Sequence, residues 1–362
     1  MRRAFWIGLA AGTWAMTATA ASLAQDVSGL SERCIAEIRA AGVAPASAET
    51  WAQCETAISG DLHNDALRQS ITRKHMLDGA PERAIGYLRD AADEGNLQAM
   101  AELAFMYAFG FGVELDYQKA LHWNRAPAEA GVADAQNAMG FLHHFGLGVD
   151  LDLEEAQRWY RLAAAQGNTH AYANLGQLYL TGLGVDQDYA EAATWLRLAA
   201  EQGHKDSQTE LAKLYRQGLG VERDYTEALR WYREAAEAGE AVAQLNLGRM
   251  YLLGEGIEPD DDEAVRWFRL AADQGEPEAQ NALGLMYLYG RGVEESLFEG
   301  MRWIKRAADN GDSEALYNMG YFYESGIGVE QDHEHALEWY RKAAQKGDAD
   351  AAKAVRRLEQ TP

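Results

Sequence analysis

The sequence predicts an all-α fold, a right-handed α/α superhelical solenoid of about eight 36-residue helix-turn-helix repeats. Three columns of residues predict it. A Gly-x-Gly-(Val/Ile) tetrad begins at Gly110, Gly146, Gly182, Gly218, Gly254, Gly290 and Gly326, thirty-six residues apart every time. An aromatic column keeps step with it at Tyr87, Trp123, Trp159, Trp195, Trp231, Trp267, Trp303 and Trp339. A second glycine column holds the same interval at Gly95, Gly131, Gly167, Gly203, Gly239, Gly275, Gly311 and Gly347. Self-similarity at a fixed period of this size is the signature of a stacked repeat array.

Each unit reads as two helices. In one of them, helix A spans Asp134 to Phe145, with Ala135, Met139, Leu142 and His143 spaced for one face; most other units have tyrosine at the last of these positions. Gly146 then stops the helix, and Val149 places an apolar side chain under the loop. Asp152 is set to cap helix B, with Glu155 three residues on as the second half of a capping box. The same pairing recurs at Asp188/Glu191, Asp224/Glu227 and Asp260/Glu263. Helix B carries Trp159, Ala163 and Ala164 and ends at Gly167. Paired alanines such as Ala199-Ala200 and Ala235-Ala236 allow close helix approach, and the tryptophans fill the space between. Neither helix can bury its apolar stripe alone, so units stack on their neighbours.

The ends depart from the pattern. The first unit keeps a helix B from Pro81 to Glu94 but has Lys74 where the tetrad glycine would stand. The last has only a helix A, Asp348 to Gln360, with polar Arg356 and Glu359 at inner positions. Pro127, late in a helix B, predicts a bend or an early end, and Gly300 replaces the helix B alanine of its unit.

Residues 1–24 read as a secretory signal peptide: Arg2 and Arg3, an apolar run from Ala4 to about Ala21, and small residues before Gln25. An uncleaved membrane anchor is the competing reading. The expected location is periplasmic or secreted, with no stable membrane insertion after cleavage. Residues 25–61 read as a helical hairpin. Cys34 and Cys54 are the only cysteines, and an even count in an exported chain favours a disulfide between them; two buried free thiols are the alternative. The array is expected over residues 62–347 and a capping helix over 348–362. A formal net charge of −23, spread through the repeats, sets the chain against nucleic acid and anionic lipid as partners.

Stretches such as Ala171 through Val185 and Ala228 through Gly239 resemble Sel1-like repeats, relatives of the tetratricopeptide repeat with a longer loop between the two helices. The resemblance spans about residues 62 to 360 and, with the signal segment, suggests an exported bacterial member. It implies an adaptor, as in signalling, protein quality control, envelope assembly or exopolysaccharide regulation. It also implies that helix A lines the concave face.

On that basis the non-repeating helix A positions are the candidate partner-binding residues. They are Phe105, Phe109, Phe141, His144 and Phe145, then Lys213, Arg216 and Arg249, then Asn281, Tyr289, Tyr317 and Tyr321. The expectation is a groove with aromatic ends and a cationic middle that draws a carboxylate-bearing protein segment. The bland alternative has the phenylalanines packing on the N-terminal hairpin and the cations paired with acids such as Glu210.

No catalytic residue, metal site or cofactor is expected. The tetrads lack the Gly-Lys-Ser/Thr of a phosphate loop. His143 and His144 are adjacent on a helix and diverge, and His333-x-His335 reads as exposed polar sequence. A protein-binding scaffold is the leading function. A glycan or peptidoglycan-fragment binder is the alternative. A β-lactamase-like hydrolase is weaker still, because the related cysteine-rich enzymes carry a cysteine pair in every repeat.

Overall fold

The computed structural model describes residues 81–360. The signal segment, the 25–61 hairpin, the Cys34–Cys54 bridge, Lys74 and the start of the array lie outside the described residues. The described residues form sixteen α-helices and no strand. In chain order the helices are α1 Pro81–Asp93, α2 Leu97–Phe109, α3 Tyr117–Glu129, α4 Ala133–Phe145, α5 Leu153–Ala164 and α6 Thr169–Thr181. They continue with α7 Tyr189–Glu201, α8 Lys205–Gln217, α9 Tyr225–Glu237, α10 Ala241–Leu253 and α11 Asp261–Asp273. The last are α12 Pro277–Tyr289, α13 Leu297–Asp309, α14 Ser313–Ser325, α15 His333–Gln345 and α16 Ala349–Gln360. Even-numbered helices are helix A and odd-numbered ones helix B. The chain divides into two compact units, one ending at Gln187 and the other starting at Asp188. Each is a stack of helical hairpins.

The tetrad glycines have separate jobs. The first ends helix A in the left-handed region, as Gly146 does at φ 62°. The second lies where the loop of one repeat meets the start of helix B in the repeat before it. A Cβ on Gly148 would stand 2.5 Å from the Tyr117 carbonyl carbon, and one on Gly220 2.1 Å from that of Tyr189. Only a residue without a side chain allows backbone to meet backbone there.

Helix B starts on an aspartate whose carboxylate accepts the N–H three residues on: Asp152 from Glu155 at 2.9 Å, Asp260 from Glu263 at 3.0 Å. The other half of the expected capping box is not made. The cap's own N–H is donated to the carbonyl of the preceding helix A, Asp152 to His143 at 3.0 Å and Asp224 to Tyr215 at 3.0 Å. With that donor satisfied, the glutamate turns forward to an arginine, Glu155 to Arg158 Nε at 2.9 Å and Glu263 to Arg266 Nε at 3.1 Å. Pro127 does not shorten its helix against the pattern. α3 continues through it to Glu129, the terminal position matching Glu201 and Glu237.

The core lies between the A and B helices. Ala163, Ala199, Ala235, Ala271 and Ala307 are wholly buried, and Trp159, Trp231, Trp267 and Trp303 nearly so. Glycines in the middle of helix A admit the ring of helix B: a Cβ on Gly140, Gly248 or Gly320 would come within 2.7 Å of Tyr160, Phe268 or Tyr340. Successive hairpins are tied by an arginine of helix B donating to the tyrosine hydroxyl of the next helix A. Arg161 reaches Tyr179 at 2.8 Å, Arg233 reaches Tyr251 at 3.1 Å and Arg269 reaches Tyr287 at 2.7 Å. At the last hairpin a carboxylate takes the tyrosine's place, and Arg341 pairs with Glu359 at 2.6 Å.

Candidate functional site

Helix A presents several columns, and the structure sorts them. The column of His144 and Arg216 points back at helix B of the same repeat. His144 is only 4% exposed, with Nδ1 3.4 Å from the Tyr160 hydroxyl oxygen and its ring stacked on Phe145 at 4.3 Å. Burial pulls its pKa down to about 4. In the same column Glu324 accepts from the Tyr340 hydroxyl at 2.9 Å, whereas Leu252 packs in the cluster that contains Phe268, and Leu288 in the one that contains Ile304. A tyrosine on helix B thus meets a polar helix A residue, and an apolar residue meets leucine.

Asn281 is likewise buried, at 4%, and accepts a 3.4 Å hydrogen bond from Asn318 on the next helix A. In the first unit Asn174 donates to Asn137 at 2.9 Å. Tyr317 is half-buried against Tyr340, ring centroids 5.3 Å apart. His144, Asn281 and Tyr317 therefore belong largely to the packing. Of the candidate columns, those that do reach the surface are those of Phe105 and Phe109.

In the first unit those columns hold phenylalanines on α2 and α4, and Gln177 and Thr181 on α6. Phe105 and Phe109 lie 4.6 Å apart and are joined by Phe111, 5.6 Å from Phe105; Phe141 and Phe145 lie 4.8 Å apart. Each pair is an i, i+4 contact along one helix.

In the second unit the expected cationic middle is neutralised. Lys213 pairs with Glu210 at 2.7 Å, Arg216 with Glu255 at 2.6 Å and Arg249 with Glu278 at 2.8 Å. Arg249 also acts on Glu276, Asp312 and Glu314, so one guanidinium stands among four carboxylates. Burial, with neighbouring carboxylates adding to it, raises Glu276, Asp312 and Glu314 above the usual carboxylate range. Asp206 is raised for the same reason, burial first and then the like charge of Glu240. The net charge on this side is negative, against the expectation.

Beyond the carboxylates, toward the C-terminal ends of the same helices, large apolar side chains stand in water. Tyr289 is 71% exposed, Leu253 61% and Tyr321 47%. Leu253 stands one period before Tyr289, so the column count that selected Tyr289 also reaches it, and the acids follow by the same count. Searching only for aromatics and cations passes over them. Among the described residues no cluster of histidine, cysteine, aspartate and glutamate is set to hold a metal ion, and no helix is long and apolar enough to cross a membrane.

Stacked two-helix units whose recurring columns serve packing, and whose variable columns face outward from helix A, define a repeat scaffold. The chain belongs to the Sel1 repeat family. The family model matches eight consecutive segments, 77–96, 97–130, 133–168, 169–204, 205–240, 241–276, 277–312 and 313–348. Among solved structures, the chain is similar to a protective antigen present in uropathogenic Escherichia coli strains that displays an SLR fold. That match has 32% identity and a TM-score of 0.70 and covers 82% of this chain and 66% of the antigen, so this chain spans slightly less than two thirds of that protein. It is also similar to a Sel1 repeat protein from Oxalobacter formigenes, at 33% identity and TM-score 0.63, covering 67% of this chain and 96% of that one. A comparison with curated proteins finds no match.

Proposed function

We propose that the chain is an exported, non-catalytic adaptor that holds a protein partner on the helix A side of its repeats. The observation that carries this is the division of labour among the columns. The recurring glycine, alanine and tryptophan columns serve packing, while the columns of Phe105 and Phe109 change from repeat to repeat and include side chains as exposed as Tyr289. Packing does not dictate these residues, and large half-exposed aromatics are the residue type that anchors protein interfaces. The family supports the reading, since Sel1 repeat proteins generally mediate protein–protein contacts. Export to the periplasm or beyond rests on Arg2, Arg3 and the apolar run to Ala21, and the Cys34–Cys54 bridge on the even cysteine count.

Photo-crosslinkers placed singly at Tyr289, at Tyr321 and at Glu237, which lies at the end of a helix B, test the proposal in the native envelope. The expected result is protein adducts from the first two sites and none from Glu237. Adducts from the helix B site alone would sink the proposal.

A further inference from the structure

We propose that the partner segment held by the second unit is basic and amphipathic, with lysine or arginine along one side and large apolar residues along the other. This rests on the adaptor reading above and names the chemistry of what the adaptor holds. The argument is one of complementarity along three neighbouring helices of one compact unit, α10, α12 and α14. On α12, Glu278 and Tyr289 are eleven residues apart, three turns, and lie on the same side of the helix. At 1.5 Å per residue their separation along the axis is about 16 Å. On α14, Glu314 and Tyr321 are two turns apart, about 10 Å. The face is therefore two bands: carboxylates at the N-terminal ends of the helices and exposed apolar side chains at the C-terminal ends.

The carboxylate band has more negative charge than its own arginine can satisfy. Arg249 is taken by Glu278, and Glu276, Asp312 and Glu314 share what remains of its field. Cationic side chains from outside would complete the pairing. The apolar band leaves Leu253 and Tyr289 mostly in water, which a partner's apolar side chains would relieve. An amphipathic helix, ~10–12 Å across with its side chains, spans both bands at once. An acidic segment would meet like charge at every step of the first band.

The test uses the full chain and a fluorescent leucine/lysine peptide about five turns long, patterned as an amphipathic helix, with a leucine/glutamate peptide of the same pattern as control. The leucine/lysine peptide is expected to bind at physiological ionic strength and the control not to bind. Neutralising the band with Glu276→Gln, Glu278→Gln and Glu314→Gln should weaken binding about tenfold. The same charge change on exposed ends of helix B, Glu201→Gln, Glu237→Gln and Asp273→Asn, should leave it within about twofold. Leu253→Ser with Tyr289→Ser should weaken it about fivefold. Equal losses from the two neutralised variants would mean diffuse attraction and overturn the proposal, as would equal binding of the two peptides. Sequencing the segment crosslinked to Tyr289 separates this inference from the adaptor reading. An acidic or uncharged segment overturns the inference and leaves the adaptor standing, while adducts from the helix B site alone overturn both.

Discussion

The helix A side of the first compact unit and that of the second share the same columns but differ in what they present. Where the first carries Phe105, Phe109, Phe141 and Phe145, the second carries Lys213, Arg249, Tyr289 and Tyr321, with carboxylates behind them. The scaffold beneath does not change: Trp159 and Trp231 are both buried, and Gly148 and Gly220 both meet the backbone of the preceding repeat. The packing chemistry is thus indifferent to the surface chemistry. The difference also reaches into titration. In the first unit burial lowers His144 to about 4 and lowers His170. In the second, burial raises Asp206, Glu276, Asp312 and Glu314.

The largest effect tests the sameness. Trp159→Ala and Trp231→Ala should each cost ~3–5 kcal/mol in chemical denaturation. A loss in one unit several times that in the other would break the idea that the columns are equivalent.

The next effect tests the difference. His144 has a folded pKa near 4 against an ordinary 6.5, so its folded form binds fewer protons. Its stability is complete above pH 6.5 and declines as pH falls toward 4, by up to about 3 kcal/mol. The raised carboxylates have the opposite sign: they destabilise the fold at neutral pH and are relieved as pH falls through their raised values. His144→Leu, the residue found at the matching Leu252 and Leu288, should flatten the loss between pH 6.5 and 4. Hydrogen exchange of α4 and α5 measured across that range would show it, and an unchanged profile would remove His144 from the account.

A smaller contrast lies inside the second unit. Tyr340 donates to Glu324 at 2.9 Å, so Tyr340→Phe should cost about 1 kcal/mol. The buried Tyr232 hydroxyl has no hydrogen-bond partner, so Tyr232→Phe should be neutral or stabilising by up to about 1 kcal/mol. Thermal melts should show a lower midpoint for Tyr340→Phe and an unchanged or higher one for Tyr232→Phe. Smallest of all, Glu359→Gln at the exposed Arg341 pair should change stability by no more than about 0.5 kcal/mol in the same melts.

The period made nearly all of the fold legible, because one residue type recurring at one interval leaves a single way to stack. Details that depend on a third partner were not legible. The glutamate of the capping box turns to arginine because a carbonyl nine residues upstream takes the donor it would have used, as His143 does for Asp152. The site divides the same way. Columns were legible, but His144 and Phe141 lie three residues apart and differ in fate, since helix B decides which is covered. Of the cation partners, only Glu210, one turn from Lys213, was within reach of the sequence. Glu255 lies thirty-nine residues from Arg216 and Glu278 twenty-nine from Arg249, in other repeats.

The match between helix A and helix B inside one repeat has an evolutionary side. Tyr340 brings its own Glu324, Tyr160 its His144, and Phe268 its Leu252, so the fit between each pair is settled within thirty-six residues. A whole repeat can then be duplicated, lost or shuffled as a cassette without rematching its interior. The order of cassettes then sets which side chains line the outward columns, with the packing beneath unchanged.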